Sequence, residues 1–212
     1  GATYVWSNGL GTSTNVSITS PGTYSVKVTA SNGCTDTESI TITQDITNPT
    51  AGITNNTGST ELTCNTTSIS VTATGGGTYA WSGGGTTAAK TLTTSGTHTV
   101  TVTASNGCTA TSSIVLTQDV TTPTATITNN TGTSQLTCTT TSISLTGGGG
   151  SSYSWSSGSS VAGETVTSPN TYTLTATGSN GCTDTESVTI TQDISTPTAG
   201  ITNNTGSTEL TC

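Results

Sequence analysis

Short runs of alternating apolar and hydroxyl-bearing residues recur along the whole chain. In its middle part, Ile69, Val71 and Ala73 alternate with Ser and Thr, and Val100 and Val102 alternate with Thr. Period-two alternation places the apolar side chains on one face of a β-strand. No stretch shows the period of a helix. The pattern therefore predicts an all-β protein in which Thr covers the outer faces, where its branched side chain favours extended backbone.

Glycine- and asparagine-rich turns divide these runs into short strands. The middle part has turns at residues 75–77 and 83–85 and a tight Ser105-Asn-Gly turn, and about seven strands fit between residues 49 and 122. Several short strands separated by such turns are typical of a small antiparallel β-sandwich. The glycine runs are interpreted as turns and not as phosphate-binding loops, because neither a Lys-Ser/Thr pair nor a helix follows them.

The pattern repeats with a period of about 74 residues, which is the spacing between equivalent cysteines. Cysteines recur in two registers, and a Tyr-x-Trp-Ser string recurs with them, so one structural unit is copied along the chain. Residues 31–64 and 179–212 differ at three positions only, which makes a pair of repeats, 148 residues, the unit of recent duplication. Pro49, Pro123 and Pro197 mark the junctions. We predict part of a sandwich in 1–48, complete sandwiches in 49–122 and 123–196, and the start of another in 197–212, within a longer protein.

Each repeat has little material for a core. The chain of 212 residues contains no Phe or Met, and a domain of about 74 residues buries a limited apolar area. The recurring tryptophan and a disulfide are therefore expected to supply much of the stability. We predict a core position for Trp6, Trp81 and Trp155.

Charge and composition exclude several function classes. With Lys27 and Lys90 as the only strong cations and a formal net charge of −8, no basic surface is available for nucleic acid. No apolar run has the length of a membrane-spanning helix, so no membrane contact is expected from this segment. The neighbouring sequence does not supply the residues that a catalytic or metal-binding role of the single histidine, His98, would need, and no GxSxG turn is present. We expect neither an enzyme nor a cofactor.

Six cysteines at repeat positions predict disulfides and an extracellular location. Pairing within a repeat joins Cys64 to Cys108 and Cys138 to Cys182, and leaves Cys34 and Cys212 for partners outside the segment. Pairing across a junction joins neighbouring cysteines in sequence order. Loop entropy favours neither, since loops of 30 and 44 residues both give about 4 kcal/mol. We favour pairing within a repeat, because an extended array separates the cross-junction partners; a link between Cys64 and Cys182 at touching poles of adjacent repeats stays open.

The junctions also suggest a metal site. Asp45, Asp119 and Asp193 recur in the string Thr-Gln-Asp. Calcium sites between tandem domains need six to eight oxygen ligands, and each junction offers one repeated acid. We therefore predict no metal site and interpret these residues as caps at strand ends, with calcium as the alternative.

Three strings in each repeat resemble a known family. Tyr4-Val-Trp6-Ser-Asn-Gly, Pro21-Gly-Thr-Tyr24-Ser-Val-Lys-Val and Ser31-Asn-Gly-Cys34-Thr are similar to the SprB-type and PKD-like repeats of giant surface adhesins from gliding bacteria that use type IX secretion. The resemblance covers essentially the whole chain and implies tandem immunoglobulin-like sandwiches, export to the cell surface, and adhesion or gliding. The middle repeat departs from it, with His98 in place of tyrosine and with Ala110 and Ser112 in place of acids.

We therefore expect a structural segment of a long secreted filament or adhesin. Its partners are the neighbouring repeats, further copies in a homo-oligomeric filament or bundle, and a glycan or protein target at a tip outside the segment. The alternative is an extracellular β-sandwich module that itself binds a ligand or glycan. Ice binding through Thr-x-Thr rows is less consistent with a long period that contains Trp and Cys.

Overall fold

The computed structural model describes residues 1–204, 206–210 and 212, and these residues contain strands and no α-helix. By its internal contacts the chain divides into two compact units. The first consists of Gly1–Thr54, Thr72–Lys90 and His98–Ile114, and the second of Asn55–Val71, Thr91–Thr97 and Val115–Cys212. The predicted all-β class with several antiparallel sheets is confirmed.

The part of the chain before the first junction forms a single antiparallel sheet of order β1-β2-β3. Its strands are β1 (Thr3–Trp6), β2 (Gly22–Thr29) and β3 (Thr35–Ile42), with one 3₁₀ turn at Ser7–Gly9. Tyr24 is buried, whereas Trp6 and Val26 are only half-buried. Trp6 therefore differs from a fully buried core residue, because only one sheet forms in this part of the chain.

Residues 52–119 contain seven strands in two sheets, of order β4-β6-β8 and β5-β10-β9-β7. The alternation at Ile69, Val71, Val100 and Val102 places all four side chains at 0% exposure. The strands are β4 (Gly52–Asn55), β5 (Glu61–Thr63), β6 (Ile69–Thr74), β7 (Thr78–Trp81), β8 (Ala89–Leu92), β9 (Gly96–Thr103) and β10 (Thr109–Asp119).

Residues 126–192 repeat this arrangement, with sheets of order β11-β13-β15 and β12-β17-β16-β14. Both sheets contribute to one core, in which Ile143 and Leu145 from one sheet meet Trp155, Leu174 and Ile190 from the other. The strands are β11 (Thr126–Asn129), β12 (Gln135–Leu136), β13 (Ile143–Gly148), β14 (Ser152–Trp155), β15 (Gly163–Val166), β16 (Asn170–Thr177) and β17 (Thr183–Gln192).

The short second strand of each repeat has a position that the sequence pattern does not reveal. Strand β12 pairs in parallel with the end of β17, with Leu136 opposite Gln192, and β5 pairs in the same way with the end of β10. The rest of each four-stranded sheet that the register describes is antiparallel. The first strand of each repeat lies in one sheet, and the short second strand lies in the other. Because the second strand runs parallel to the last strand and pairs with its end, the residues that follow the second strand lie at the far end of the last strand.

The disulfide joins Cys64 to Cys182, with 5.0 Å between their Cα atoms, and Cys34, Cys108, Cys138 and Cys212 are free thiols. The favoured pairings Cys64–Cys108 and Cys138–Cys182 are not formed. Cys182 directly precedes the ten-residue strand β17, and Cys138 comes shortly after Leu136, which pairs with the last position of that strand. These two cysteines are thus separated by the length of β17, about 30 Å, far beyond the reach of a disulfide.

Candidate functional site: the junction between repeats

The most elaborate polar contacts of the chain lie where one predicted repeat meets the next. The first junction lies inside the first compact unit and the second inside the second unit. Each junction consists of the linker that begins with Asp45 or Asp119 and of the Ser-Asn-Gly-Cys turn of the following repeat. This turn connects β9 to β10 in the middle repeat and β16 to β17 in the next.

The asparagine of the turn holds the linker. Asn180 uses its Oδ1 to accept the backbone N–H of Cys182 at 3.1 Å, which orients its Nδ2 outward. Nδ2 then donates to the Thr121 carbonyl at 2.9 Å and to Oδ1 of Asp119 at 3.0 Å. One side chain therefore stabilises its own turn and fixes the preceding linker to it.

The first junction repeats this arrangement. Asn106 accepts the N–H of Cys108 at 3.0 Å and donates from Nδ2 to the Thr47 carbonyl, also at 3.0 Å. In each linker the aspartate Oδ1 accepts the backbone N–H two residues later, at 2.9 Å for Asp45 and 3.0 Å for Asp119. The same local cap forms at Asp193, which accepts the N–H of Ser195.

These hydrogen bonds change the acidity of the linker aspartates. The pKa of Asp119 lies below its ordinary value, first because the Thr121 backbone donates to its carboxylate, then because the Thr121 and Asn180 side chains do. The pKa of Asp45 is lowered in the same way by Thr47 and Asn106. The pKa of Asp193 is lowered by Ser195. The aspartates act as capping residues, and the described residues contain no group of three or more acidic, His or Cys side chains that could hold a metal ion.

Removing the asparagine is expected to raise the pKa of Asp119 toward its ordinary value in the variant Asn180→Ala. A lowered folded-state pKa means that the hydrogen bonds contribute fully above about pH 4 and are lost as the pH falls through the lowered value. Carboxyl chemical shifts followed by NMR against pH measure the change. Asp193 is the internal control, because its donor is Ser195 and it should not move. An unchanged Asp119 titration would show that Asn180 does not bind it in solution.

The second junction has further contacts that the first lacks. Asp184 accepts the Ala125 N–H through Oδ2 at 2.9 Å, whereas the equivalent residue of the middle repeat is Ala110. The disulfide links Cys182, which is 2% exposed, to the turn that follows β5. Beside it, a Cβ at Gly181 would collide with the Asn65 side chain. An open cleft of about 290 Å³ borders this contact and is lined by Glu61, Thr63, Asn65, Thr66, Asp119, Ser179 and Asn180.

A glycine makes room for each linker. Gly149 has a φ of +91°, and a Cβ there would overlap the Thr124 carbonyl group. Gly75, its equivalent in the middle repeat, has a φ of +126° and lies in the same way against Thr50. The runs at residues 75–77 and 83–85 are turns, as the sequence indicates, whereas Gly147 and Gly148 lie in strand β13 and only the end of that run forms a bend. Gly75 and Gly149 have the additional function of admitting the linker backbone.

The tryptophans and two of the tyrosines make contacts within the fold. Trp81 and Trp155 are 5% and 2% exposed, and each indole N–H donates to a carbonyl six residues later, at Thr87 and Val161. Tyr172 donates its hydroxyl to the Ser168 carbonyl at 2.9 Å, and Tyr24 does the same to Ser20. A tyrosine hydroxyl that donates to a carbonyl a few residues upstream is also a feature of the tyrosine corner in immunoglobulin domains. His98 occupies the equivalent position in the middle repeat and is half-buried.

Sequence reasoning identified the junction aspartates but missed Asn106, Asn180 and Asp184. The signal that could have identified the asparagines is their recurrence at a fixed distance from the linker aspartate, because this distance is the same at both junctions. Within the described part of the chain, no helix is both long enough and apolar enough to cross a membrane.

No family model matches the sequence, and no curated protein matches it. Among solved structures, the chain is similar to one from a study of host cell surface retention of a 1.5-MDa bacterial ice-binding adhesin. The sequence identity is 17% and the TM-score is 0.46, and the match covers 82% of this chain and 74% of that one. It is also similar to a Ca²⁺-stabilised adhesin that helps an Antarctic bacterium reach out and bind ice, with 16% identity and a TM-score of 0.48. That match covers 81% of this chain and 57% of the other. A tetra-tandem repeat from the extending region of a large adhesion protein matches with 18% identity, a TM-score of 0.22, and coverage of 89% and 66%.

Proposed function

We propose that the chain is a spacer segment of a long, secreted, cell-surface adhesin or filament, in which tandem immunoglobulin-like sandwiches are joined by restrained linkers. The observation that carries this proposal is the recurrence of one set of linker contacts, Asn106 to Thr47 and Asn180 to Thr121, at successive junctions. A repeated hold on the linker restricts the motion of one repeat against the next. Such restraint is suited to a stalk that extends away from the cell surface.

One further observation supports a location outside the cell, and another is compatible with assembly of several copies. A disulfide persists in oxidising compartments, and Cys64–Cys182 joins two repeats. The sparsely charged, Thr-rich faces limit electrostatic repulsion between copies, which is compatible with a bundle of filaments. The resemblance to SprB-type repeats adds type IX export and a role in gliding, attachment or contact between cells to the proposal, with the target bound at a tip outside this segment.

The proposal is tested on cells that produce the protein. Antibodies against this chain should label surface filaments, and an in-frame deletion of two repeats, 148 residues, should shorten them while the bound target stays the same. The isolated chain should show no saturable binding to glycans or to target cells. Saturable binding by the isolated chain would support the ligand-binding alternative, and unchanged filament length after the deletion would contradict the spacer role.

A further inference from the structure

The spacing between the two cysteines of the disulfide can recur along an array of repeats. Cys64 follows the short parallel strand of one repeat, and Cys182 lies in the Ser-Asn-Gly-Cys turn of the next, 118 residues later. Cys64 and Cys182 are the only two cysteines of this sequence with that spacing. The four remaining cysteines occupy the same two positions in their own repeats, and each lacks an equivalent partner within the segment.

Cys138 lies in a turn that matches the turn of Cys64. In the Cys64 turn, the N–H of Thr63 donates to the Thr66 carbonyl at 2.9 Å, and the N–H of Thr66 donates to Oγ1 of Thr63 at 3.0 Å. The corresponding bonds between Thr137 and Thr140 have the same lengths, 2.9 and 3.0 Å. Cys138 is exposed. Cys64 and Cys138 are therefore exposed residues in turns with the same hydrogen bonds.

Cys108 lies in a turn that matches the turn of Cys182. The preceding glycines have φ values of +85° and +80°, and each cysteine N–H is bound by the asparagine two residues before it, at 3.0 and 3.1 Å. The same asparagine holds the linker at both junctions. The first junction thus repeats the asparagine contacts of the second around its cysteine, and the position 118 residues upstream of Cys108 lies outside the segment.

We propose that a disulfide crosses every junction of the longer array, from the cysteine after the short parallel strand of one repeat to the Ser-Asn-Gly-Cys cysteine of the next. Cys138 and Cys212 take partners 118 residues downstream, and Cys34 and Cys108 take partners 118 residues upstream, at the spacing of Cys64–Cys182. The inference extends beyond the spacer role and does not depend on adhesion, because it concerns the pairing alone.

The bond forms by exchange with an exported dithiol oxidase in its disulfide state. One cysteine thiolate attacks the oxidant disulfide and gives a mixed disulfide, and the second cysteine thiolate then displaces the oxidant. Two protein thiols lose two protons and two electrons, and the oxidant disulfide is reduced to a dithiol. Oxidised glutathione supplies the same chemistry in vitro, with two molecules of reduced glutathione as product.

Lengthening the chain tests the pairing. Because Cys64 and Cys212 are equivalent, a second copy of residues 65–212 can follow Cys212 in register. After refolding with oxidised and reduced glutathione, non-reducing peptide mapping should find three disulfides: Cys64–Cys182, Cys138 with the copy of Cys108, and Cys212 with the copy of Cys182. Four thiols should remain, as in the original chain, since each added repeat contributes two cysteines and one new bond.

Single substitutions sharpen the outcome. Cys64→Ser should release only the thiol of Cys182, and Ser in the copy of Cys108 should release only that of Cys138. The bond Cys64–Cys182 reports that the lengthened chain has folded. A free Cys138 beside an intact Cys64–Cys182 bond would overturn the proposal, and so would pairing of Cys138 within its repeat or with a second chain. Absence of Cys64–Cys182 itself would remove its basis.

Discussion

Pulling the oxidised chain from its two ends should extend it by about 410 Å less than pulling the reduced chain, because a fully extended residue spans roughly 3.5 Å. The disulfide joins positions 118 residues apart, so nearly all of the residues between them lie outside the covalent path that carries the force. Both states can unfold, but only the reduced state can release the residues between Cys64 and Cys182 as free length.

Single-molecule force spectroscopy measures this difference as the final contour length. Cys64→Ser should give the longer value without reductant. Cys138→Ser is the matched control, because Cys138 lies in the same kind of turn and is a free thiol. It should keep the shorter value. Equal contour lengths for the wild type with and without reductant would show that the bond is absent.

An array with a bond at every junction would be limited more strongly. Cys182 and Cys212 are 30 positions apart, and each disulfide then spans 118 residues. The shortest covalent path therefore includes 30 of every 148 residues. Such a stalk would keep most of its contour length inaccessible to force, whether or not its sandwiches stay folded.

The fold could be predicted from the sequence because its signals are local. Alternation at Ile69, Val71, Val100 and Val102 reports which side of a strand is buried, and that property depends on the strand alone. Turns with glycine at positive φ, such as the one at Gly107, report their geometry through residue type. Strand positions and the all-β class follow from such signals.

The disulfide could not be predicted in the same way, because it depends on pairing between distant segments. Two residues, Gln135 and Leu136, form the parallel strand that places Cys138 at the far end of β17. So short a strand has no periodicity of its own. A sequence-based prediction that misses this strand can place both cysteines of a repeat at the same end of the sandwich. The hold of Asn180 on Asp119 is equally non-local, since the two residues are 61 positions apart.

The second strong effect is a loss of stability in the variant Gly149→Ala, where the linker backbone lies against the glycine. Gly149 and Gly158 lie in the same repeat with φ values of +91° and +99°, so alanine at either position costs about 1 kcal/mol in backbone strain. A Cβ at Gly158 meets nothing within 4 Å, whereas one at Gly149 overlaps the Thr124 carbonyl group and lies 2.7 Å from its carbon.

Backbone atoms cannot rotate away as a side chain can, so the linker must move in Gly149→Ala. Displacing packed backbone typically costs a further 1–3 kcal/mol. We therefore expect Gly149→Ala to lower the free energy of unfolding by about 2–4 kcal/mol, and Gly158→Ala by about 1 kcal/mol. Urea unfolding of the oxidised chain, followed by tryptophan fluorescence, compares the two variants. Equal losses would mean that the linker does not pass over Gly149. Steric contact with Gly149 would then not contribute to the restraint on the junction.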